Sequence, residues 1–562
     1  MLKQELQEII KKAVKDNFDV QLEPQIERPR EEGYGDYSSN AALILFKKYQ
    51  VSRQSRGSPK AASSKYHVWK TSSELAEEIV KILNTKYLIQ NTFDKVEIAG
   101  PGFINFYISS EYLQSQIPKI IEEGKNYGSS TLGKGKKARV EFVSANPTGP
   151  LHFGNARGGP IGDAIANVLS FSGFTVLREY LDNDRGNQVL ELGKTIAAKA
   201  GLINVLEEEL TYKGEYTKEL AEKLKSKIDK DIPDEEIIEK AGELGVGIMF
   251  EEIIKDCEAM GIKFDKIVHE SELQKEAPEV LDSLEKRGLI KKYEGATWFA
   301  PNDEYLKDKD AVVVKSDGIY TYFATDIVYH TEKFSSGYDL VIDVFGSNTS
   351  GHVPKLKALA AASGLPLNKF IVIMYQFVRI KRGSDIVKMS KRAGNFVTVK
   401  EVVDEVGKDA LRFFILSTRP ETHMDFDLEL AKKKANENPV FYVQYANARI
   451  SSILANSKFK IQNSKLQLKV QNLLKEKTEL DLIRELTKFP ELINEIAGNF
   501  EVHKLTTYAT SLADKFHRFY EAERVISEDE KLTNARLELV KATQITLQNT
   551  FNLLGISAPE KM

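Results

Sequence analysis

Residues 138–171 read ARVEFVSANPTGPLHFGNARGGPIGDAIANVLSF, and three patterns follow one another in this stretch. Val140 and Phe142 belong to a short apolar run rich in β-branched and aromatic residues, which is typical of a buried parallel strand. The run ends at residues 146–150 (NPTGP), a composition that interrupts a strand and starts a loop. Beyond Gly154, apolar side chains recur at helical spacing: Ile161, Ala164, Ile165, Val168 and Leu169. The stretch therefore predicts a strand, a tight loop and a helix.

The loop in front of this helix is a candidate binding site for an anion. The first N–H groups of a helix have no partner inside it, and the helix dipole adds positive charge at the same end. Gly154 and Gly158 leave room for a ligand to approach the backbone. His152 lies in the loop, where its side chain can reach a phosphate or a ribose. The alternative for His152 is a core histidine that only packs against its neighbours.

The string ANPTGPLHFGNARG resembles the ATP signature of class I aminoacyl-tRNA synthetases, and in particular that of the arginyl-tRNA synthetases of bacterial type. The resemblance implies a set of ATP-binding residues here: Pro147, Gly149, His152, Gly154, Asn155 and Gly158. It also implies catalytic roles for His152 and Asn155. Asn155 departs from the pattern, because the family usually has a second histidine there. An asparagine can donate a hydrogen bond to ATP, but it cannot become a cation.

A second motif, Lys388-Met389-Ser390-Lys391, comes much later in the chain. Two lysines around a small residue, in a loop bounded by glycines, form a compact cation for phosphates. Together with the His152 loop, the motif resembles the second class I signature, a lysine loop that clamps the α- and β-phosphates of ATP. The resemblance implies that Lys388 and Lys391 are catalytic and that Met389 and Ser390 contact ATP. Mg²⁺ is expected to accompany ATP as a substrate.

Residues 317–330 (DGIYTYFATDIVYH) carry a carboxylate between tyrosines. Helical spacing places Tyr322, Asp326 and Tyr329 on one face. This combination suits a guanidinium, which prefers a planar bidentate acceptor and an aromatic face. A structural ion pair or a helix cap is the alternative. Within the resemblance, the residues expected to bind arginine are Glu141, Ser144, Asn146, Tyr322 and Asp326.

The other patterns predict a multidomain α/β chain in three parts. Residues 1–118 predict a small α+β N-terminal domain. Residues 119–405 predict a Rossmann-type catalytic domain with a parallel sheet, which a helical insertion at about 190–290 splits and which resumes with a strand at 311–315. Residues 406–562 predict an all-α bundle, which the resemblance identifies as an anticodon-binding domain.

The resemblance implies that tRNA for arginine contacts the two outer domains. In the GPGFIN stretch, Phe103 could stack on an RNA base and Asn105 could hydrogen-bond it, although a core position for Phe103 is the alternative. Tyr442 and Tyr445 of the bundle are further candidates for stacking. Residues 51–70 contain five basic residues and no acidic one. They predict a basic loop that either contacts RNA phosphates or is simply solvated.

Composition limits the remaining classes of protein. The chain has 562 residues and a formal net charge of −3, so any RNA-binding surface has to be local. No apolar run is long enough to span a membrane, and the first residues predict an amphipathic helix rather than a signal peptide. The single Cys257 excludes an intrachain disulfide and a cysteine zinc cluster, so no structural zinc is expected. We expect a monomer in the cytoplasm.

The resemblance predicts that the chain activates arginine with ATP and transfers it to the terminal adenosine of tRNA. Three alternatives stay open. A class I synthetase for another amino acid would not need the negative charge of Asp326 and Glu141. A different nucleotidyl transferase would share the His152 loop but not the terminal bundle. A tRNA-binding relative without activity would be consistent with Asn155 and with Thr349-Ser350, where the family usually has histidines.

Overall fold

The structure is a computed structural model that describes residues 2–29, 31, 33–55, 69–87, 89–301, 303–307, 309–383, 385–387, 396–457 and 471–562. Four predicted ATP-contacting residues, Lys388, Met389, Ser390 and Lys391, lie outside the described residues, as does the segment 56–68 of the predicted basic loop. Within the described residues, no helix is both long enough and apolar enough to cross a lipid bilayer.

The N-terminal part combines helices with an antiparallel sheet, as predicted. Its helices are α1 (Leu2–Phe18), α2 (Ala41–Ser55) and α3 (Ser72–Lys86), and its strands are β1 (Ile26–Glu27), β2 (Tyr37–Ser39), β3 (Phe93–Ala99) and β4 (Phe103–Ile108). The strands pair antiparallel in the order β1-β2-β4-β3. Helix α1 buries Leu6, Ile10 and Val14, which recur at helical spacing. Helix α4 (Ser110–Glu123) leads into the central part.

The central part contains both strands and helices. The strands are β5 (Lys137–Phe142), β6 (Thr175–Asp182), β7 (Lys266–His269), β8 (Ile290–Tyr293), β9 (Ala296–Phe299), β10 (Ala311–Val314), β11 (Leu340–Gly346), β12 (Phe370–Tyr375), β13 (Val378–Arg382) and β14 (Asp385–Ile386). The helices are α5 (Phe153–Ala156), α6 (Gly158–Phe171), α7 (Asn187–Lys199), α8 (Tyr216–Leu224), α9 (Asp234–Ala259), α10 (Glu270–Lys286), α11 (Tyr322–Ser335) and α12 (Val353–Ala362). The strand and the helix predicted for residues 138–171 are confirmed as β5 and α6, and the predicted loop lies between β5 and the short helix α5.

A parallel sheet in the order β12-β11-β5-β6-β7 forms the centre of this part. The range 190–290 is mostly helical, as predicted, but it also contains β7, the edge strand of that sheet. The prediction for residues 311–315 is wrong: β10 does not continue the parallel sheet but pairs antiparallel with β9 in the separate sheet β10-β9-β8. A short run of valines carries no sign of which strand it will pair with.

The C-terminal part is a bundle of helices. They are α13 (Val399–Leu416), α14 (Leu428–Lys432), α15 (Pro439–Asn456), α16 (Lys477–Asn499), α17 (His503–Ala522) and α18 (Glu530–Leu554). Strand β15 (Met424–Asp427) pairs with β13 of the central part. Gly407 has non-helical dihedral angles and interrupts α13. The bundle predicted for residues 406–562 is confirmed as mainly helical, but it is not all-α, because β15 lies within that range and pairs with a strand of the central part.

The buried Arg412 joins three regions of the molecule. Its guanidinium donates hydrogen bonds to the carbonyl oxygens of Leu554 at 2.7 Å and Met260 at 3.1 Å, and to the carboxylate of Asp163 at 2.5 Å. These partners end α18, follow α9 and lie in α6, respectively. Helix α18 also reaches the start of the central part, because Asn549 donates to the carbonyl oxygens of Gly124 and Tyr127. The bundle is therefore packed directly on α6, the long helix after strand β5.

Candidate active site

A cavity lies at the carboxyl edge of the parallel sheet, where the direction of strand addition reverses. From β5 the chain continues outward to β6 and β7, whereas β11 and β12 lie on the other side of β5. In open α/β sheets, ligands bind in the crevice at such a switch point. The cavity has a volume of about 630 Å³, which is in the range of small-molecule sites.

His152 caps the first helical turn at this edge. Its Nδ1 atom accepts a hydrogen bond from the N–H group of Gly154 at 2.9 Å. The imidazole ring also lies beside Phe396, with 5.7 Å between the ring centroids. Asn155 is exposed, and it lines the cavity. His152 therefore orders the start of the helix, and Asn155 is part of the cavity wall.

The glycines of the motif are packed against tyrosine rings. A Cβ atom on Gly158 would lie 2.7 Å from the Tyr375 ring, and one on Gly149 would lie 3.0 Å from the Tyr216 ring. Gly158 and Gly149 are buried, as is Pro147. Gly158 was expected to leave room for a ligand near the backbone. The structure gives another reason, because the tyrosine ring occupies the space that a side chain would need.

Arg157 is a residue of this motif that the sequence analysis did not single out. Its buried guanidinium donates to the carbonyl oxygens of Gln376 at 2.8 Å, Thr422 at 2.8 Å and Arg419 at 2.9 Å. Burial lowers the pKa of Arg157 to about 10, which leaves it cationic at neutral pH. It ties the start of α6 to the loop after β12 and to the segment before β15. This role could not be predicted from pairs of opposite charges in the sequence, because all three partners are backbone groups.

All five residues predicted to bind arginine line the cavity: Glu141, Ser144, Asn146, Tyr322 and Asp326. The carboxylate of Glu141 is already paired on both oxygens. Oε1 accepts from the Ser144 hydroxyl at 2.8 Å, and Oε2 accepts from the ammonium of Lys333. Glu141 is 2% exposed. Its charge is therefore compensated inside the protein, which differs from the expectation that it offers free negative charge to a substrate.

Lys333 forms a buried cluster with two carboxylates beneath the cavity. Its Nζ atom donates to Glu141 and to Asp343, the latter at 2.8 Å, and it lies 4.0 Å from the centre of the Tyr329 ring. His330 Nε2 lies 3.0 Å from the other oxygen of Asp343. Burial alone would lower the pKa of Lys333, but the charges of Asp343 and Glu141 raise it above its usual value. The ammonium is therefore held in its charged form, and it compensates the charge of one of the two carboxylates.

Asp326 and Glu270 supply the negative charge of the cavity wall instead. Asp326 Oδ2 lies 3.0 Å from His352 Nδ1. Glu270 accepts a hydrogen bond from the Thr325 hydroxyl on Oε1, whereas its buried Oε2 accepts none among the described residues. Burial, reinforced by the charges of Asp326 and Asp184, raises the pKa of Glu270 to about 7. A buried carboxylate with a raised pKa and an open acceptor is a candidate ligand-binding group.

Comparison with known proteins assigns this arrangement to a family. Residues 116–424 match the family model described as tRNA synthetases class I (R), catalytic domain. Residues 2–108 match the model of the arginyl tRNA synthetase N terminal domain, and residues 443–562 match that of the DALR anticodon binding domain. The chain is 41% identical to the arginine–tRNA ligase of Citrifermentans bemidjiense, over 96% of this chain and 94% of that protein. The chain belongs to the arginyl-tRNA synthetase family.

Other members of the arginyl-tRNA synthetase family agree in length and fold. The arginine–tRNA ligase of Geobacillus thermodenitrificans is 38% identical over 100% of this chain and 98% of its own. The solved arginyl-tRNA synthetase of Thermus thermophilus superposes with a TM-score of 0.77 over 100% of both chains, at 23% identity. The second of these shows that the fold is shared.

The residues predicted to contact tRNA differ in their exposure to solvent. Phe103 is 40% exposed at the start of β4, which removes the alternative of a core position. Asn105, by contrast, is 3% exposed inside the same strand, so its amide is not presented to an RNA base as predicted. Tyr445 lines a cavity of about 910 Å³ together with Arg449 and Tyr520. Tyr442 packs against His517 with 4.8 Å between the ring centroids.

Proposed function

We propose that the chain is an arginine–tRNA ligase, which activates arginine with ATP to arginyl-adenylate and transfers it to the 3′-terminal adenosine of its tRNA. The observation that carries this proposal is the pair of carboxylates in the cavity wall, Asp326 and Glu270. Both line the same cavity as the predicted ATP loop residue Asn155. A cationic substrate side chain is the partner that such a wall requires.

The guanidinium of arginine is proposed to bind these carboxylates. Arginine presents five donors in a fixed planar fork, which matches carboxylates bidentately. Glu270 Oε2 supplies an acceptor that has no partner among the described residues, and Asp326 supplies a second carboxylate. The ring of Tyr322, which is 47% exposed at the cavity, offers an aromatic face to the cation. Glu141, Ser144 and Asn146, in β5 and directly after it, are proposed to contact the backbone part of the amino acid next to ATP.

Lysine is rejected by the same arrangement. Its ammonium is a point charge with three donors, so it leaves part of the acceptor set of Asp326 and Glu270 unpaired. Sites built to pair a substrate's polar groups reject analogues that lack them by roughly 10⁴–10⁵. That ratio is large enough for accurate charging without a second, hydrolytic site.

ATP is held at the loop before α6 and by the lysine motif. The ATP-binding residues are proposed to be Pro147, Gly149, His152, Gly154, Asn155, Gly158, Lys388, Met389, Ser390 and Lys391. The reaction forms a new bond to the α-phosphate, so catalysis is positioning plus stabilisation of phosphate charge. His152, Asn155, Lys388 and Lys391 supply the donors. No side chain has to act as a nucleophile.

Mg²⁺ is proposed to enter with ATP rather than to occupy a protein cage. Among the described residues, Glu141, His330 and Asp343 place one ligand atom each within 4.8 Å of one another. Lys333 already lies between two of these carboxylates, so the group does not suit a divalent ion. The phosphates of ATP supply the oxygen ligands that Mg²⁺ prefers.

The outer domains are proposed to hold tRNA, with domain limits near residues 118 and 405. Phe103 is the exposed aromatic of the N-terminal domain, and Tyr445 with Arg449 lines the cavity of the bundle. The Arg449 guanidinium lies 4.7 Å from the Tyr445 ring centre and 4.9 Å from that of Tyr520, so a base entering this cavity would find both stacking and positive charge. The enzyme is proposed to act as a cytoplasmic monomer.

A charging assay tests the proposal. Purified chain, ATP, Mg²⁺ and total tRNA are incubated with each of the twenty amino acids, and only arginine is expected to be attached. Asp326→Asn is expected to reduce arginine charging by about 10²-fold or more, because the substitution keeps the size of the side chain and removes its charge. Glu276→Gln, an exposed position on the same helix as Glu270, serves as the control and leaves charging unchanged. Attachment of another amino acid, or wild-type activity in Asp326→Asn, would contradict the assignment.

A further inference from the structure

The loop after strand β5 has a strained start. We call residues 143–157 the signature loop, because they contain the string ANPTGPLHFGNAR. Val143 and Ser144 open this loop with φ angles of 70° and 38°. Positive φ is unfavourable for a residue with a side chain, and above all for a β-branched residue such as valine. A backbone of this kind keeps its shape only where surrounding groups hold it.

Three tyrosine hydroxyls from outside the signature loop donate hydrogen bonds to its backbone carbonyl oxygens. The pairs are Tyr180 to Ala145 at 2.7 Å, Tyr216 to Thr148 at 2.9 Å and Tyr375 to Asn155 at 2.9 Å. Tyr180 and Tyr375 lie in β6 and β12, which belong to the parallel sheet itself. Tyr216 begins α8, in the helical insertion. The insertion therefore contacts the signature loop through the hydroxyl of Tyr216.

The Tyr216 ring packs against two glycines that leave it room. A Cβ atom on Gly214 would lie 2.6 Å from the Cδ1–Cε1 edge of the ring, and one on Gly149 would lie 3.0 Å from its hydroxyl end. Both distances are below the roughly 3.5–4.0 Å of a favourable carbon–carbon contact. Gly214 lies in the sequence YKGEY (residues 212–216), whereas Gly149 belongs to the signature loop. Glycine is therefore required on both sides of this contact.

The start of α8 is fixed within the insertion. The Thr217 hydroxyl donates to the carbonyl oxygen of Gly214 at 2.7 Å, and it accepts a hydrogen bond from Lys199 of α7 at 2.7 Å. Thr217 is fully buried. Helices α7, α8 and α9 also share one cluster of buried apolar side chains. The insertion therefore holds Tyr216 in place, and the Tyr216 hydroxyl in turn holds the signature loop.

We propose that Tyr216 is a positioning residue for ATP, through which the helical insertion sets the place of Thr148 and Gly149 in the signature loop. This inference rests on the proposed function, because it takes the signature loop as part of the ATP site. A displacement of about 1 Å at a reacting group can cost about 10²-fold in rate. Asp326 and Glu270 lie on α11 and α10, outside the loop, so its displacement leaves the guanidinium site intact. Loss of the contact should therefore impair the use of ATP and spare the binding of arginine.

Removal of one hydroxyl tests this role with little change to packing. Tyr216→Phe keeps the ring and deletes the bond to Thr148. In tRNA charging with arginine, kcat/KM for ATP is expected to fall about three- to tenfold, the scale of one hydrogen bond. The dissociation constant of arginine, measured by equilibrium dialysis without ATP, should be unchanged. Tyr127→Phe is the matched control, because it deletes a hydroxyl-to-carbonyl bond of 2.8 Å to Leu486 and leaves both constants unchanged.

Two glycine variants test the contact from its other side. Gly214→Ala displaces the Tyr216 ring, so it is expected to lower kcat/KM for ATP as Tyr216→Phe does. Gly247→Ala is the control, because a Cβ atom at this position in α9 would meet no other group within 4 Å. In Tyr216→Ala, the further change Gly214→Ala should have no effect on kcat/KM for ATP, because the ring that it displaces is absent.

Three results would overturn the proposal. The first is a kcat/KM for ATP in Tyr216→Phe equal to that in Tyr127→Phe. The second is a loss of arginine binding in Tyr216→Phe as large as the loss in kcat/KM for ATP. The third is an effect of Gly214→Ala that is absent in the wild-type background or persists in Tyr216→Ala. Failure of the proposed function is recognised separately, because the wild type would then not charge tRNA with arginine at all.

Discussion

Among single residues, two buried carboxylates of the cavity wall differ in their partners. Glu141 is neutralised by Lys333, whereas Glu270 keeps an oxygen without a hydrogen-bond partner among the described residues. Helical spacing predicted that Tyr322 and Asp326 share one face, and the family resemblance predicted their place in the arginine site; both line the cavity. Glu270 and Lys333 were not predictable, because Glu270 meets Thr325 across 55 positions and Lys333 meets Glu141 across 192. Single-sequence periodicity contains no information about such contacts.

The first residue-scale prediction concerns pH. Because the pKa of Glu270 is raised to about 7, its carboxyl group is largely protonated below pH 7 in the substrate-free enzyme and charged above it. Arginine binds the charged form, so the KM for arginine is expected to rise as pH falls from 8 to 6. In Glu270→Gln the KM should be high and nearly independent of pH over that range. Steady-state kinetics with Glu276→Gln as control measures this, and a wild-type pH profile in Glu270→Gln would exclude the role.

The same carboxyl group predicts an effect on stability. A raised pKa means that the folded state binds the proton more tightly than the unfolded state. The folded protein is therefore destabilised as pH rises from about 4.5 through about 7. Glu270→Gln removes the destabilisation that ionisation of Glu270 causes. The melting temperature of the variant should therefore exceed that of the wild type at pH 8 and approach it at pH 5. Thermal unfolding at both pH values tests the sign; a lower melting temperature for the variant at pH 8 would mean that the charged carboxylate stabilises the fold.

The lysine motif gives a residue-scale prediction that rests on sequence. If Lys391 stabilises phosphate charge in the transition state, Lys391→Ala should lower the turnover number by about 10²-fold or more. Arginine binding, measured by equilibrium dialysis, should be unchanged. The exposed Lys434, which lies in the C-terminal part, provides a matched lysine-to-alanine control. Normal turnover in Lys391→Ala would remove the motif from the mechanism.

At the scale of elements, the strand, loop and helix of residues 138–171 followed from local patterns, because each change of periodicity lies within one short stretch. The wrong prediction for β10 shows what local patterns cannot decide. Its residues predict a strand, but only the position of β9 decides whether the strand pairs parallel or antiparallel. The position of the start of α6 also depends on groups that are distant in the sequence. Arg157 binds carbonyl oxygens that are 219 to 265 positions away, which no local pattern can reveal.

Arg157→Met tests how far α6 depends on those bonds. The substitution removes the donor of three carbonyl oxygens, those of Gln376, Thr422 and Arg419, and each lost hydrogen bond costs about 0.5–1.5 kcal/mol. We expect the melting temperature of the variant to fall well below that of the wild type. Arg518→Met, at an arginine on α17 whose side chain is 65% exposed and pairs with Asp514, should change it little. Equal melting temperatures for the two variants would show that the carbonyl groups find other partners.

At the scale of the whole molecule, the three parts are joined by buried polar contacts rather than by linkers alone. Glu491 of α16 accepts hydrogen bonds from the Tyr37 hydroxyl at 2.5 Å and from Arg28 at 3.0 Å, and so fixes the N-terminal sheet to the bundle. Arg412 fixes the bundle to α6. Deleting the bundle would therefore expose packed surfaces of the other parts. Point variants are the better test of how the bundle binds tRNA.

Arg449→Ala is such a variant. Arg449 lies over the rings of Tyr445 and Tyr520 in the cavity of the bundle. If it contacts an RNA phosphate, the affinity for tRNA should fall and the slope of log affinity against log salt should decrease by about 1. The KM for arginine should not change, because the cavity lies in the bundle rather than at the parallel sheet. Unaltered tRNA binding over a series of salt concentrations would place the RNA contact elsewhere.

The contact between α18 and α4 also has a consequence for how the protein is made. Asn549 binds the carbonyl oxygen of Gly124, a residue that precedes it by 425 positions. A ribosome adding about 5–20 residues per second needs roughly 20–85 s to synthesise that interval. During this time the apolar sides of α4 and α6 lack the helix that covers them in the finished protein. The nascent chain is therefore a natural client for chaperones, and its catalytic part reaches native packing only after translation of the bundle.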